Sequence, residues 1–472
     1  MTPSSAPDLP TSILAASDAE AAPATAALSK DLKQRHVTMI SIGGIIGAGL
    51  FVGSSTGIAT VGPAIVVSYL LAGVVVLLVM RMLGEMASAY PRTGAFTEFA
   101  RLGLGNWAGF ASGWLYWYFW VMVVSIEALA GASLLHQWIA LPVWSLGLIL
   151  LGLMMGTNLL STRSYGEFEF WFASIKVAAI VAFIVVVAIL LGVEAPGPGG
   201  RFANLTSHGG FAPFGNLSVL GGVTSVIFAL CGAEIATIAA AESAEPGRAV
   251  ARMTNQVMAR ILLFYVISLF LIVTITPWTS IHPGDSPFAI TLGRLGIPFA
   301  PQIMNVIILT AVLSCLNSGL YVASRVLFTL AARGDAPKAL VALNRRRVPV
   351  RAIFIAAAFG VAAMGASILS PQKVFAFLVD ASGALMLIVY LFVALAEIQV
   401  RRRLEAESPG RLTVRMWFFP WGSYVTVGAI LAILAAMAFT PSLRSQLLAS
   451  LTLLGAALVA FFFLRRGKAA PV

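Results

Sequence analysis

The sequence predicts an all-α integral membrane protein of twelve transmembrane helices, and three observations carry that prediction. Charged side chains are only 10% of the 472 residues, where a soluble globular protein has about 25%. Hydrophobic residues make up 59% and the mean hydropathy is +0.93, so in water the chain would lack the polar groups to cover its own surface. The few charges are also spaced at membrane-sized intervals. A soluble enzyme, a disordered protein and a nucleic-acid binder are excluded. The net charge of +11 reads better as membrane topology than as a basic binding face.

The uncharged gaps set the elements. Val37–Met80 runs 44 residues without a charge, Ala128–Thr162 35, Phe202–Ala233 32, Leu295–Ser324 30 and Met416–Leu443 28. A spanning helix needs roughly 20 apolar residues, so the longest gaps hold two helices or parts of two. Gly62-Pro63, Leu141-Pro142 and Pro371 divide them. The expected centres are residues 48, 71, 119, 152, 181, 228, 268, 316, 361, 387, 430 and 456. Residues 1–35 are Ala/Ser/Pro-rich and read as a disordered cytoplasmic tail. Residues 36–466 are expected to form one twelve-helix membrane domain, with a first repeat over 36–193, a second over 213–400, a last helix pair over 416–466 and a short cytoplasmic end at 467–472.

Basic residues set the orientation. With both termini in the cytoplasm, the outer loops hold only Arg201, Arg294, Lys373 and Arg444. The clusters Lys30-Lys33-Arg35, Arg345-Arg346-Arg347, Arg401-Arg402-Arg403 and Arg465-Arg466-Lys468 then lie inside. Cys231 and Cys315, the only two cysteines, both fall within expected spans, so a disulfide framework is not expected.

Two spans break the lipid-compatible pattern. The first contains Gly43-Gly44-Ile45-Ile46-Gly47-Ala48-Gly49, and the sixth contains Gly221-Gly222 followed by Phe228-Ala229-Leu230-Cys231-Gly232-Ala233-Glu234. Each mid-helix glycine costs about 1 kcal/mol against alanine. Close helix packing through small residues is one explanation. The other is a pair of unwound helices at matching places in two inverted five-helix repeats, with two further helices after them. Unwinding frees N–H groups for a carboxylate and carbonyls for an ammonium, so one such pair would recognise a zwitterion.

Ionisable residues inside spans are the second anomaly, because each costs several kcal/mol unless paired or hydrated. Glu127, Lys176, Glu234 and Asp380 are of this kind. A carboxylate at Glu234, beside the sixth-span break, can gain and lose a proton during a cycle. Lys176 either snorkels or takes part in coupling; Glu127 either makes an interhelix hydrogen bond or has a functional role. Glu242 and Glu397 are expected to be hydrated near helix ends, while Arg81, Arg325 and Arg333 snorkel inward. The cluster Ser314-Cys315-Leu316-Asn317-Ser318 either bonds helix to helix or lines a polar cavity. The run Trp114-Leu115-Tyr116-Trp117-Tyr118-Phe119-Trp120 reads as an interfacial belt and packing surface, with no chemistry assigned.

No nucleophile–base set, metal-ligand spacing or phosphate loop occurs, so no enzyme activity, cofactor or metal is expected. A channel would more plausibly show rings of charge or a filter built by several subunits. Ion-driven secondary transport is left, with a monomer as the functional unit in the lipid bilayer.

Longer motifs then carry a resemblance. Ile42-Gly43-Gly44-Ile45-Ile46-Gly47-Ala48-Gly49-Leu50-Phe51-Val52-Gly53, Tyr90-Pro91-Arg92-Thr93-Gly94 and Asn317-Ser318-Gly319-Leu320-Tyr321-Val322-Ala323-Ser324-Arg325 look like signatures of the amino acid–polyamine–organocation superfamily, in its bacterial amino acid transporter branch. The stretches Tyr165-Gly166-Glu167-Phe168-Glu169-Phe170-Trp171 and Ser314-Cys315-Leu316-Asn317-Ser318 are most similar to the permeases for 4-aminobutyrate (GABA). The resemblance implies a five-plus-five inverted repeat and proton symport of a small zwitterionic amino acid, GABA favoured. Proline, aromatic or other neutral amino acids are the alternative substrates, and an exchanger or channel-like facilitator without proton coupling is the alternative class. It further implies that the amides of Ala48 and Gly49, in the break at Gly47, hold the carboxylate. The carbonyls of Ile45, Phe228 and Cys231 would hold the amine, with the Phe228 ring as a gate and Cys315 lining the site. Lys176 and Glu234 would couple protons.

Overall fold

The computed structural model describes residues 46–90, 97–160, 162–193, 200–234, 246–412 and 414–466. All their regular structure is helical. In chain order the α-helices are α1 (Ala48–Phe51), α2 (Gly53–Val61), α3 (Ile65–Ala89), α4 (Thr97–Leu104), α5 (Asn106–Leu135), α6 (Val143–Leu160), α7 (Thr162–Val193) and α8 (Asn216–Leu230). They continue as α9 (Pro246–Ile275), α10 (Pro287–Arg294), α11 (Ala300–Ala332), α12 (Val350–Ser367), α13 (Pro371–Glu407), α14 (Trp421–Phe439) and α15 (Pro441–Arg466). Each of the twelve expected centres falls inside one of these helices.

Nine helical stretches among the described residues are long and apolar enough to cross a membrane. One of them, Ala48–Ala89, is 42 residues long, about twice what a crossing needs. It is interrupted by the 3₁₀ turn Gly62–Ala64, where Gly62 takes φ +75°. Asn216–Leu230 and Ala259–Ile275 are apolar but shorter.

Burial separates inner helices from outer ones. In the most apolar window, 83% of residues are buried in α5 and in α13, against 28% in α6 and 11% in α15. Helix α5 packs along α11, α3 along α9, and α13 across α4, α5 and α8. The outer helices keep apolar side chains on their free faces, including Leu153, Val193, Val425 and Phe463. Such a surface suits hydrocarbon rather than water.

Small residues let the inner backbones touch. A Cβ at Gly383 of α13 would fall on the Thr224 carbonyl of α8, and one at Gly103 of α4 would stand 2.5 Å from Ala396 Cα. Ion pairs tie helix ends together. Arg401 of α13 meets Glu85 of α3 at 2.6 Å and Glu405 at 2.8 Å. Arg101 of α4 binds Asp335 at 2.5 Å and Glu98 at 3.1 Å, and Arg333 at the end of α11 also pairs with Glu98. Burial pushes the Glu98 carboxyl above its ordinary value, with the two guanidiniums pulling against that.

Glu397 departs from its expected hydration. It is fully buried in α13 and accepts from Ser423 Oγ of α14 at 2.8 Å, because α14 folds back over this stretch of α13. Glu242 lies outside the described residues.

Candidate functional site

In both glycine-rich segments the described residues include a helix end, and the two segments touch. The first helix bends at Val52 (φ −125°, ψ −47°), between α1 and α2. Ser54 Oγ and Ser55 Oγ donate to the carbonyls of Leu50 and Val52, at 2.6 Å each. The other break follows α8, where Cys231 turns extended (ψ 151°) and Gly232 takes φ +108°. That left-handed value favours glycine over any residue with a Cβ. Gly49 lies against α8 so closely that a Cβ there would stand 2.7 Å from Ala229 Cα and 3.2 Å from the Phe228 ring.

A carboxylate of the protein answers an amide at each break. The Ala48 N–H donates to both oxygens of Glu127, at 3.1 Å each. Glu127 reaches it from α5, and Cys315 of α11 closes the same spot. A Cβ at Gly47 would stand 2.6 Å from Glu127 Oε1 and 2.7 Å from Cys315 Sγ, so glycine at 47 is a requirement of space. At the second break the Gly232 N–H donates to both oxygens of Glu234, again at 3.1 Å. Tyr390 of α13 donates to Glu234 at 3.2 Å and Tyr116 of α5 at 3.5 Å. All of these side chains are buried.

Tyr116 and Glu127 are eleven residues apart on α5. That is close to three helical turns, so they share a face about 16 Å long. This face serves both breaks at once.

Lys176 of α7 is fully buried rather than snorkelling. Its Nζ donates to Ser314 Oγ of α11 at 2.8 Å, and the same hydroxyl donates to both carboxylate oxygens of Glu169 at 2.7 Å. Nζ and Glu169 Oε1 are 3.9 Å apart. A buried ammonium therefore has a buried counter-ion on its own helix.

The expected site residues thus divide. Gly47, Ala48, Gly49, Glu127 and Cys315 converge at the first break, Phe228, Cys231 and Glu234 at the second, and the Gly49–Phe228 contact joins the two groups. Lys176 is held by Ser314, the residue before Cys315 on α11. The Phe228 carbonyl accepts the Cys231 N–H at 3.2 Å. Ile45 lies outside the described residues. Asp380 is held apart from these groups' hydrogen bonds, accepting from Ser225 Oγ at 2.6 Å.

Sequence reasoning missed Tyr116, Tyr390 and Glu169. Tyr116 belongs to the run read as an interfacial belt and packing surface; Leu115, Tyr116, Trp117, Phe119 and Trp120 are all buried, so most of the run packs in the core. Glu169 carried a signal: opposite charges seven residues apart, two turns along one helix face, in an otherwise apolar segment. The polar cluster of α11 bonds helix to helix, as one of its two expected readings has it. Ser314 lines the charged network, while Asn317 bonds helix to helix, taking Thr157 Oγ1 at 2.9 Å and Asn158 Nδ2 at 2.7 Å.

A family model described as "Amino acid permease" matches residues 36–469. The chain is 47% identical to the gamma-aminobutyric acid permease of Bacillus subtilis (strain 168), covering 93% of this chain and 94% of that one. It is 43% identical to the gamma-aminobutyric acid permease of Escherichia coli (strain K12), over 90% and 91% respectively. An aromatic amino acid transport protein of Corynebacterium glutamicum is 37% identical, over 89% and 91%. With its apolar spans and this match over nearly the whole length, the chain is a multi-pass membrane transporter of amino acids and belongs to the amino acid permease family.

Proposed function

We propose that this permease imports 4-aminobutyrate, a zwitterion with amine and carboxylate at opposite ends, by symport with protons across a bacterial inner membrane. The observation that carries the reading is the contact between the two helix breaks, Gly49 against Ala229 with Phe228 beside them. The segment that would supply the Ala48 and Gly49 amides thus packs on the end of α8, which would supply the Phe228 and Cys231 carbonyls. The names of the relatives at 43% and 47% identity favour GABA over other amino acids.

In this reading the Ala48 and Gly49 amides take the substrate carboxylate, and the carbonyls of Ile45, Phe228 and Cys231 take the ammonium. The Phe228 ring screens the pocket and Cys315 borders it. The substrate carboxylate takes over, or shares, the Ala48 N–H that Glu127 holds. Lys176 and Glu234 carry the coupling protons. The monomer works as twelve spans in a five-plus-five inverted repeat with two helices added. The 42-residue Ala48–Ala89 stretch then counts as two spans, and the two shorter apolar helices as one each. Both termini face the cytoplasm; a green fluorescent reporter fused after Val472 would stay dark if the C-terminus lay outside.

The test is pH-gradient-driven uptake of labelled GABA into proteoliposomes, competed by β-alanine, proline, phenylalanine and lysine. Accumulation competed by β-alanine alone is the expected result. No accumulation of labelled GABA, with accumulation of labelled proline or phenylalanine in its place, would remove the substrate assignment. GABA entry indifferent to the pH gradient would remove the coupling.

A further inference from the structure

The buried network on α7 goes beyond a lysine with a coupling role. Glu169, Ser314 and Lys176 are each completely withdrawn from solvent, and the hydroxyl stands between the two charged groups. Nζ donates to Ser314 Oγ at 2.8 Å, while Ser314 Oγ donates to Glu169 at 2.7 Å. Both distances are those of formed hydrogen bonds, and a serine hydroxyl can accept one proton while giving another. The direct Nζ–Oε1 separation of 3.9 Å is too long for a hydrogen bond, whereas the Ser314 hydroxyl bonds to both groups.

We propose that Glu169 is the proton station that follows Lys176 on the way to the cytoplasm, reached through the Ser314 hydroxyl. The inference rests on the proposed coupling role of Lys176 and on cytoplasmic termini. On that orientation α7 runs outward, and the backbone of Glu169, two turns before Lys176, lies about 10 Å nearer the cytoplasm, although the two charged groups themselves meet at 3.9 Å. The step balances. The ammonium of Lys176 gives a proton to Ser314 Oγ as that hydroxyl passes its own proton to Glu169. The products are a neutral amine, an unchanged serine and a carboxylic acid, which releases its proton when the cytoplasmic side opens.

Charge accounting favours such a step. The transfer converts a buried ion pair into two neutral groups, so no isolated charge is left in the apolar interior. Other titratable groups surround the relay. Glu127 from α5 and Cys315 from α11 feel the charge of Lys176, Cys315 also that of Glu169, and Tyr265 from α9 feels Cys315 and Glu127. Ser318, one turn along α11 from Ser314, hydrogen-bonds Glu169 as well. The carboxylate is therefore held by one face of α11 whether or not a proton passes.

The experiment compares two assays on the full chain in proteoliposomes: pH-driven net uptake of labelled GABA, and exchange of labelled for unlabelled GABA, which needs no net proton movement. Glu169→Gln keeps the hydrogen-bonding shape but takes no proton. Net uptake should fall by about 100-fold, the low end of what a positioned proton-transfer group contributes, while exchange persists. Ser314→Ala should behave alike and Ser314→Thr should restore net uptake. Lys176→Gln separates the two readings. If Lys176→Gln loses net uptake and Glu169→Gln keeps it, the relay is overturned and the lysine reading stands. If both variants keep net uptake, the lysine reading fails and the relay with it. If Glu169→Gln loses exchange too, the serine pair decides. Rescue by threonine alone supports the relay, and net uptake undiminished in Ser314→Ala overturns it.

Discussion

At Gly47 a single hydrogen atom in place of a side chain decides what can meet. A Cβ there would collide with Glu127 Oε1 at 2.6 Å and with Cys315 Sγ at 2.7 Å. Both groups would have to move, and the Ala48–Glu127 hydrogen bonds would go with them. Gly47→Leu should abolish GABA uptake while the protein still reaches the membrane; uptake at the parent rate would remove the first break from the site. Some of this was legible in the residues themselves. The glycine density of the first and sixth spans marked both breaks, and the intramembrane charges marked Glu127, Lys176 and Glu234. What could not be read was partnership. Nothing in the sequence says that Tyr116 and Tyr390, 274 positions apart, converge on one carboxylate. That convergence depends on helices from different parts of the chain crossing at the core.

Among elements, the seam between α8 and α13 has no clearance. Gly383 backs directly onto the Thr224 carbonyl, whereas Gly428 of α14 has no atom within 4 Å of where a Cβ would be. The two helical glycines make a matched comparison. Gly428→Ala should be neutral or stabilising by up to about 1 kcal/mol, through helix propensity alone. Gly383→Ala should lower the thermal midpoint of the detergent-solubilised protein and slow uptake, because the helices must separate to admit one carbon. Equal midpoints for the two variants would mean that the seam yields freely. Helix positions were the most legible part of the fold, since an apolar run between charges is a sufficient signal for a span. Glu397 shows the limit of that signal. Its distance from the helix end suggested water, but the end is covered by α14, and only tertiary packing brings Ser423 to it.

For the whole molecule, inner helices carry the polar networks and outer helices carry the lipid-facing surface. The charge distribution along the sequence anticipated that division but not its depth. Pairing Glu85 with Arg401 and Glu98 with Arg333 links segments more than 200 residues apart, and no local pattern encodes such links. One of the inner contacts has a consequence for the affinity of the transporter as a unit. Glu127 already sits on the Ala48 amide, so with the substrate carboxylate placed there as proposed, the chain would act as its own competitive ligand. A substrate carboxylate that needs this amide binds only the fraction of molecules from which Glu127 has withdrawn, and its apparent dissociation constant is raised in proportion. Glu127→Ala would remove the competitor, and a lower KM for GABA in exchange would be its signature; a raised KM would mean that Glu127 assists binding instead. Held in this way, the resting amide is never bare, and the permease trades tightness of capture for ease of release.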